Sequence, residues 1–100
     1  MQNAEIAAVF DDIAGMLKLK KDNIFKIRAY QKVARAITEL PVDVAQLVSE
    51  NRLHEIPGAG EAITGKITEL VSTGRLGFYE KLRAEFPGRP GPRQANDRPD

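Results

Sequence analysis

The stretch Ile56-Pro57-Gly58-Ala59-Gly60-Glu61-Ala62-Ile63-Thr64-Gly65-Lys66-Ile67 decides the fold. Two glycines separated by one residue make a tight turn. The residues after it carry apolar side chains at helical spacing, Ile63, Ile67, Leu70 and Val71, so the turn opens straight into an amphipathic helix. Such a junction leaves backbone N–H groups without intrahelical partners, and neither glycine has a side chain to keep an anion away. A DNA backbone phosphate suits these donors, because they satisfy phosphate oxygens without reading a base.

Ahead of the turn, Asp43 is expected to cap a short helix ending near Asn51, with Gln46 as the reciprocal partner of a capping box and Val44, Leu47 and Val48 as its apolar residues. Behind the turn the helix is expected over 61–73, with Gly74 as its stop. Two capped helices around a Pro-Gly-Ala-Gly connection, with Leu53 and Ile56 before it and Ile63 and Ile67 after it, match the helix-hairpin-helix motif. Further upstream, Ile6, Phe10, Ile13 and Leu17, flanked by Val9 and Met16, predict a helix from an N-cap at Asn3 to about Leu17. Asp22-Asn23 supplies turn and capping chemistry for a second helix over 24–39, striped by Tyr30, Val33, Ala34, Ile37 and Leu40 and stopped by Pro41. A last helix is expected over 77–85, packing Phe78, Tyr79, Leu82 and Phe86. No segment alternates with period two for long enough to make a strand. The reading is an all-α fold, a compact bundle of four or five short helices containing a helix-hairpin-helix. Its domain spans 1–86, and a disordered tail or linker spans 87–100, where no large apolar residue is available for burial.

One hundred residues with 42% apolar side chains make one small domain with a single core. There is no cysteine and only one histidine, His54, so a metal site is not expected, and no cofactor is expected either. No apolar run approaches the roughly 20 residues a membrane span needs, and the acidic, polar start does not resemble a signal peptide. A cytoplasmic monomer with no membrane association is the expectation. The net charge of +1 hides an asymmetry. Lys18, Lys20, Lys21, Lys26, Arg28, Lys32 and Arg35 face a single acid, Asp22, within residues 18–36, while the flanking segments are acidic. A local positive field of that kind favours a polyanionic partner, though a lysine cluster also reads as a solvated helix face.

The run from Asn23 to Ala34, the turn Ile56–Gly60 and Ser72-Thr73-Gly74-Arg75-Leu76 together closely resemble the N-terminal domain of family X DNA polymerases, the small lyase-type domain of the polymerase beta group, with bacterial members nearest. The resemblance covers about residues 3–86. It implies DNA as the partner, bound without sequence preference at the 5′-phosphate side of a gapped or nicked duplex during repair. In the polymerase beta branch it also implies removal of 5′-deoxyribose phosphate from an abasic site through a lysine Schiff base. Residues carried over as phosphate or DNA contacts are Gly58, Ala59 and Gly60 of the hairpin, with Lys26, Tyr30 and Lys66. His54, standing for a family lysine, can still donate a hydrogen bond, and Lys32 with Arg35 reads as a generic phosphate-contacting or solvated face. The chain departs from the family pattern at four positions. Phe25 stands where the animal enzyme has a pocket histidine, Ala62 and His54 stand where lysines are expected, and Gly65 replaces an acid. One hundred residues leave no room for the two-metal carboxylate cluster of a polymerase. The expectation is therefore a free-standing relative or the N-terminal module of a longer polymerase chain.

Lys66 aligns with the Schiff-base lysine, six residues after Gly60. On the helical wheel it falls at the edge of the apolar stripe centred near Ile67. An edge lysine sheds part of its water, which raises the fraction of amine able to attack an aldehyde. The other reading is a lysine whose stem covers the core edge and whose ammonium meets a phosphate. Tyr30 likewise reads either as core with an exposed hydroxyl or as a phosphate contact. A helical protein-interaction module without a DNA role, its glycines serving only close packing, is the remaining alternative.

Overall fold

A computed structural model describes residues 1–88, and the expected tail is outside that range except for Pro87 and Gly88. Among the described residues there are five helices and no strand: α1 (Asn3–Leu19), α2 (Ile24–Thr38), α3 (Val44–Ser49), α4 (Glu61–Thr73) and α5 (Gly77–Ala84), with a 3₁₀ turn at Leu53–Glu55 between α3 and α4.

The longest helices, α1 and α2, form the principal packing pair, and α5 closes against α1. Their apolar stripes meet in one core. Ile6, Phe10, Ile13 and Met16 from α1, with Val33 and Ile37 from α2, are fully buried. The hairpin half joins the same core through Val44, Leu53, Ile56, Ile67 and Leu76. Each expected stripe is buried, except that Leu40, Val48, Val71, Phe78 and Phe86 are only half-buried at its margin. Tyr79 ties α5 to α1, its hydroxyl lying 2.8 Å from Asp12 Oδ2.

Helix ends depart from expectation at two linked places. Gln2, not Asn3, precedes the first helical turn, and the Gln2 N–H donates to Glu5 Oε1 at 2.8 Å. Asn3 instead reaches across the fold. Its Oδ1 accepts from the Val44 N–H at 2.9 Å and its Nδ2 donates to the Val42 carbonyl at 2.7 Å. The first amide of α3 is therefore bonded by a residue from α1, and Asp43 makes no side-chain cap. Asn23 does cap α2, accepting from the Phe25 N–H at 2.8 Å. Lys21 after α1 and Asn51 after α3 adopt positive φ, and each helix ends in a paired bond pattern: Asp22 N–H to the Leu17 carbonyl and Lys21 N–H to Lys18, then Arg52 N–H to Leu47 and Asn51 N–H to Val48. Gly74 stops α4 at φ +77, as its position in the sequence requires.

Candidate nucleic-acid interface

The hairpin turn is compact. Gly58 adopts φ +85, the Ala59 N–H donates to the Ile56 carbonyl at 3.1 Å, and the Gly60 N–H donates to the Gly58 carbonyl at 3.1 Å. The amides of Ala59 and Gly60, expected to be open donors, are thus drawn into the turn. The first bond of α4 runs from the Thr64 N–H to the Gly60 carbonyl at 2.9 Å. No other described residue takes up the N–H groups of Glu61, Ala62 and Ile63. Of the expected donors only the Gly58 N–H is not drawn into the turn, and the further open donors lie at the N-terminus of α4, where the helix dipole adds a partial positive charge. A side chain added at Gly60 would meet nothing within 4 Å, whereas one at Gly58 would meet Lys32 Cγ and Cδ at 3.1 Å. The aliphatic stem of Lys32 therefore lies along Gly58, and this α2 lysine belongs to the hairpin edge.

A second group forms where α2, α4 and α5 meet. Lys66 is half-buried, and its Nζ lies 4.7 Å from the centre of the Phe78 ring. Lys26 Nζ lies 5.8 Å from the same centre, so the two ammonium groups are within about 10.5 Å of each other, the sum of the two distances. Tyr30, 3% exposed, stacks on Phe78 with ring centres 6.2 Å apart and on Phe10 at 6.0 Å. Its hydroxyl has no protein hydrogen-bond partner, and no buried polar side-chain atom of the described residues lacks one, so the hydroxyl reaches the surface. Burial of the ring, with a smaller contribution from the Asp22 carboxylate, raises the Tyr30 phenol above its ordinary value of 10. Asp22 also lies 3.9 Å from Lys26, at the outer limit of an ion pair.

The structure thus gathers Lys26, Tyr30 and Lys66 around Phe78, a residue the sequence offered only as packing for α5. Nothing local marks it, because its role depends on two lysines brought in by other helices. His54 stays apart, exposed in the 3₁₀ turn. Beside it, Arg52 is held by Glu50 at 2.6 Å and by Glu55 at 2.9 Å, which raises the guanidinium and lowers the Glu55 carboxyl from their ordinary values. Lys20 pairs with Glu85 at 2.7 Å. Phe25, one residue before Lys26, is 75% exposed. Among the described residues no cluster of three or more His, Asp or Glu side chains is placed to hold a metal ion, and no helix is long and apolar enough to cross a membrane.

Comparison with known proteins adds two findings. The helix-hairpin-helix domain family matches residues 1–76. The chain is also 29% identical, over 87 residues, to the DNA polymerase/3′-5′ exonuclease PolX of Bacillus subtilis (strain 168). That match takes in 87% of this chain and 15% of the Bacillus protein, so the chain spans about one-seventh of this relative's length.

Proposed function

The chain belongs to the helix-hairpin-helix domain family, in the form found in PolX, and from that premise we propose that it binds DNA without sequence preference, at the 5′-phosphate side of a gap or nick, as a repair module of the family X polymerase type. The observation that carries this reading is the convergence of two lysines from different helices, Lys26 and Lys66, on one aromatic ring. Two ammonium groups and the surface-reaching Tyr30 hydroxyl suit a terminal phosphate, which has about two negative charges near neutral pH. The open amides at the start of α4, with Lys32 along Gly58, suit neighbouring backbone phosphates of the same strand. Contacts of this kind read no base, so affinity falls with salt and changes little with sequence.

A second reading rests on Lys66 alone, a half-buried lysine at the margin of the core. As a nucleophile its Nζ would add to the C1′ aldehyde of an opened abasic sugar and lose water to form an imine. Loss of a C2′ proton would then break the C3′–O bond and expel the 3′-phosphate, and hydrolysis of the imine would return the lysine.

One experiment addresses both. The protein and a Lys66→Ala variant are titrated with a gapped duplex bearing a 5′-phosphate, its 5′-hydroxyl counterpart and an intact duplex. They are then incubated with a 5′-deoxyribose-phosphate duplex and sodium borohydride. The binding reading expects salt-sensitive affinity ranked phosphate gap, hydroxyl gap, intact duplex, and equal affinity for all three rules out the end-binding claim. A reduced covalent adduct that requires Lys66 supports the lyase reading, and its absence with binding intact removes it.

A further inference from the structure

We propose that Phe78 organises this site as an uncharged platform that holds the Lys26 and Lys66 ammonium groups together, and so sets the preference for a terminal phosphate monoester over an internal diester. The inference rests on the phosphate reading above and assigns it a residue that itself makes no polar contact.

Two like charges within about 10.5 Å of each other repel only weakly in water, so a modest attraction is enough to gather them. A carboxylate between them would do so by neutralising them, and it would then compete with an incoming phosphate. An aromatic face attracts an ammonium through its quadrupole without adding charge, so Lys66 keeps its full positive charge and Lys26 shares its own only with Asp22, at the outer limit of an ion pair. A monoester that is close to a dianion gains from both lysines, whereas a diester with one charge gains less.

The platform has a fixed orientation, because its ring ends a column that begins in the core. Phe10 is fully buried, Tyr30 stacks on it at an interplanar angle of 18°, and Phe78 stacks on Tyr30 at 8°. The helix bearing Phe78 is fastened at its start and along its length. The Gly77 N–H donates to Glu69 Oε2 at 2.9 Å, which ties α5 to α4, the helix that carries Lys66, and Tyr79 bonds Asp12 of α1 at 2.8 Å. The position of one ring is thus defined by three neighbouring helices, and both ammonium groups take their places from it.

The test uses the full chain with Phe78→Leu and Phe78→Tyr. The probe is one gapped duplex, made with a 5′-phosphate or a 5′-hydroxyl, and each protein is scored by the ratio of its two affinities. Expected is a phosphate preference in the parent that falls about two- to fivefold for each lysine released in Phe78→Leu, with affinity for the hydroxyl duplex kept and with Phe78→Tyr restoring the parent ratio. In the free parent, NMR of lysine ε-methylene groups should show ring-current shifts for Lys66 and, more weakly, Lys26. Ordinary shifts at both lysines overturn the platform even if Phe78→Leu fails to fold. A parent preference retained in folded Phe78→Leu overturns the role of Phe78 alone. A parent with no preference for the phosphate end overturns the phosphate reading and this inference with it.

Discussion

Asn3, at the first turn of α1, bonds the Val44 amide at 2.9 Å across 41 residues of sequence, so the start of the chain caps its third helix. With the companion bond to Val42, this side chain joins the α1–α2 half of the fold to the hairpin half. Both bonds are partly buried, and removing them leaves a backbone donor and an acceptor unsatisfied. Asn3→Ala is expected to destabilise the domain by about 1–2 kcal/mol. Chemical denaturation measures this, and a change near zero would show that the bridge contributes nothing.

Two of the left-handed glycines, Gly58 and Gly74, make a paired prediction. Gly74→Ala meets open space, so its cost is the backbone strain of a positive φ, about 1–2 kcal/mol. Gly58→Ala bears the same strain and also pushes the Lys32 stem from 3.1 Å contacts, so it should cost more. On a Lys32→Ala background the excess should disappear. A double-mutant cycle reads this coupling, and strict additivity would disprove the contact.

Gly65 predicts the opposite sign. It lies within α4, with nothing within 4 Å of an added methyl group. Gly65→Ala should stabilise the domain by about 0.5–1 kcal/mol through helix propensity alone. For a domain this small that is a rise of several degrees in Tm, readable by thermal melting. A fall would mean that α4 needs a glycine there for a reason not visible in its packing.

Alkaline pH should weaken the fold through Tyr30. Its phenol is raised above 10 in the folded state, chiefly by burial, so the folded protein holds that proton more tightly than the unfolded chain does. The corresponding stability is complete below pH 10 and is lost as pH rises through the folded value. Tyr30→Phe should flatten this part of the stability profile above pH 10. Denaturant midpoints across that range, compared with the tyrosinate absorbance of both proteins, provide the check. Parallel profiles would place the loss elsewhere.

Surface exposure separates Phe25, the sequence neighbour of Lys26, from the half-buried Phe78. Phe25 is 75% exposed, so Phe25→Ser should change stability by less than about 0.5 kcal/mol. A larger loss on unfolding measurements would mean the ring packs more than its exposure indicates.

Much of the fold was legible in the sequence because its signals are local. The bounds of α4 follow from the Gly58–Gly60 turn and the Gly74 stop, and α2 starts where Asn23 can cap it. What the sequence concealed depends on distance. Asn3 and Asp43 both have the chemistry of caps, but only the folded chain determines that Asn3 serves α3 while Asp43 makes no cap bond. Lys26, Tyr30 and Lys66 were identifiable one by one, and their common neighbour Phe78 was not, because α5 carries no local sign of the lysines above its ring. The hairpin was recognised, but not that the Ala59 and Gly60 amides already bond within its turn, because that follows from the folded backbone.

Among the described residues, no charged side chain is buried, and the fully buried ones are all hydrocarbon or thioether. Such an interior specifies volume and shape far more than residue identity, because its fully buried side chains make no hydrogen bond that a substitution could break, the Tyr79–Asp12 bond lying at its margin. Exchanges among isoleucine, leucine, valine and methionine at Ile6, Ile13, Met16, Val33 or Ile67 can therefore compensate one another, leaving the helices in register. The core can drift in sequence while the turn, the lysines and their ring keep their relative positions, so evolution of the scaffold and evolution of the binding edge are largely separable.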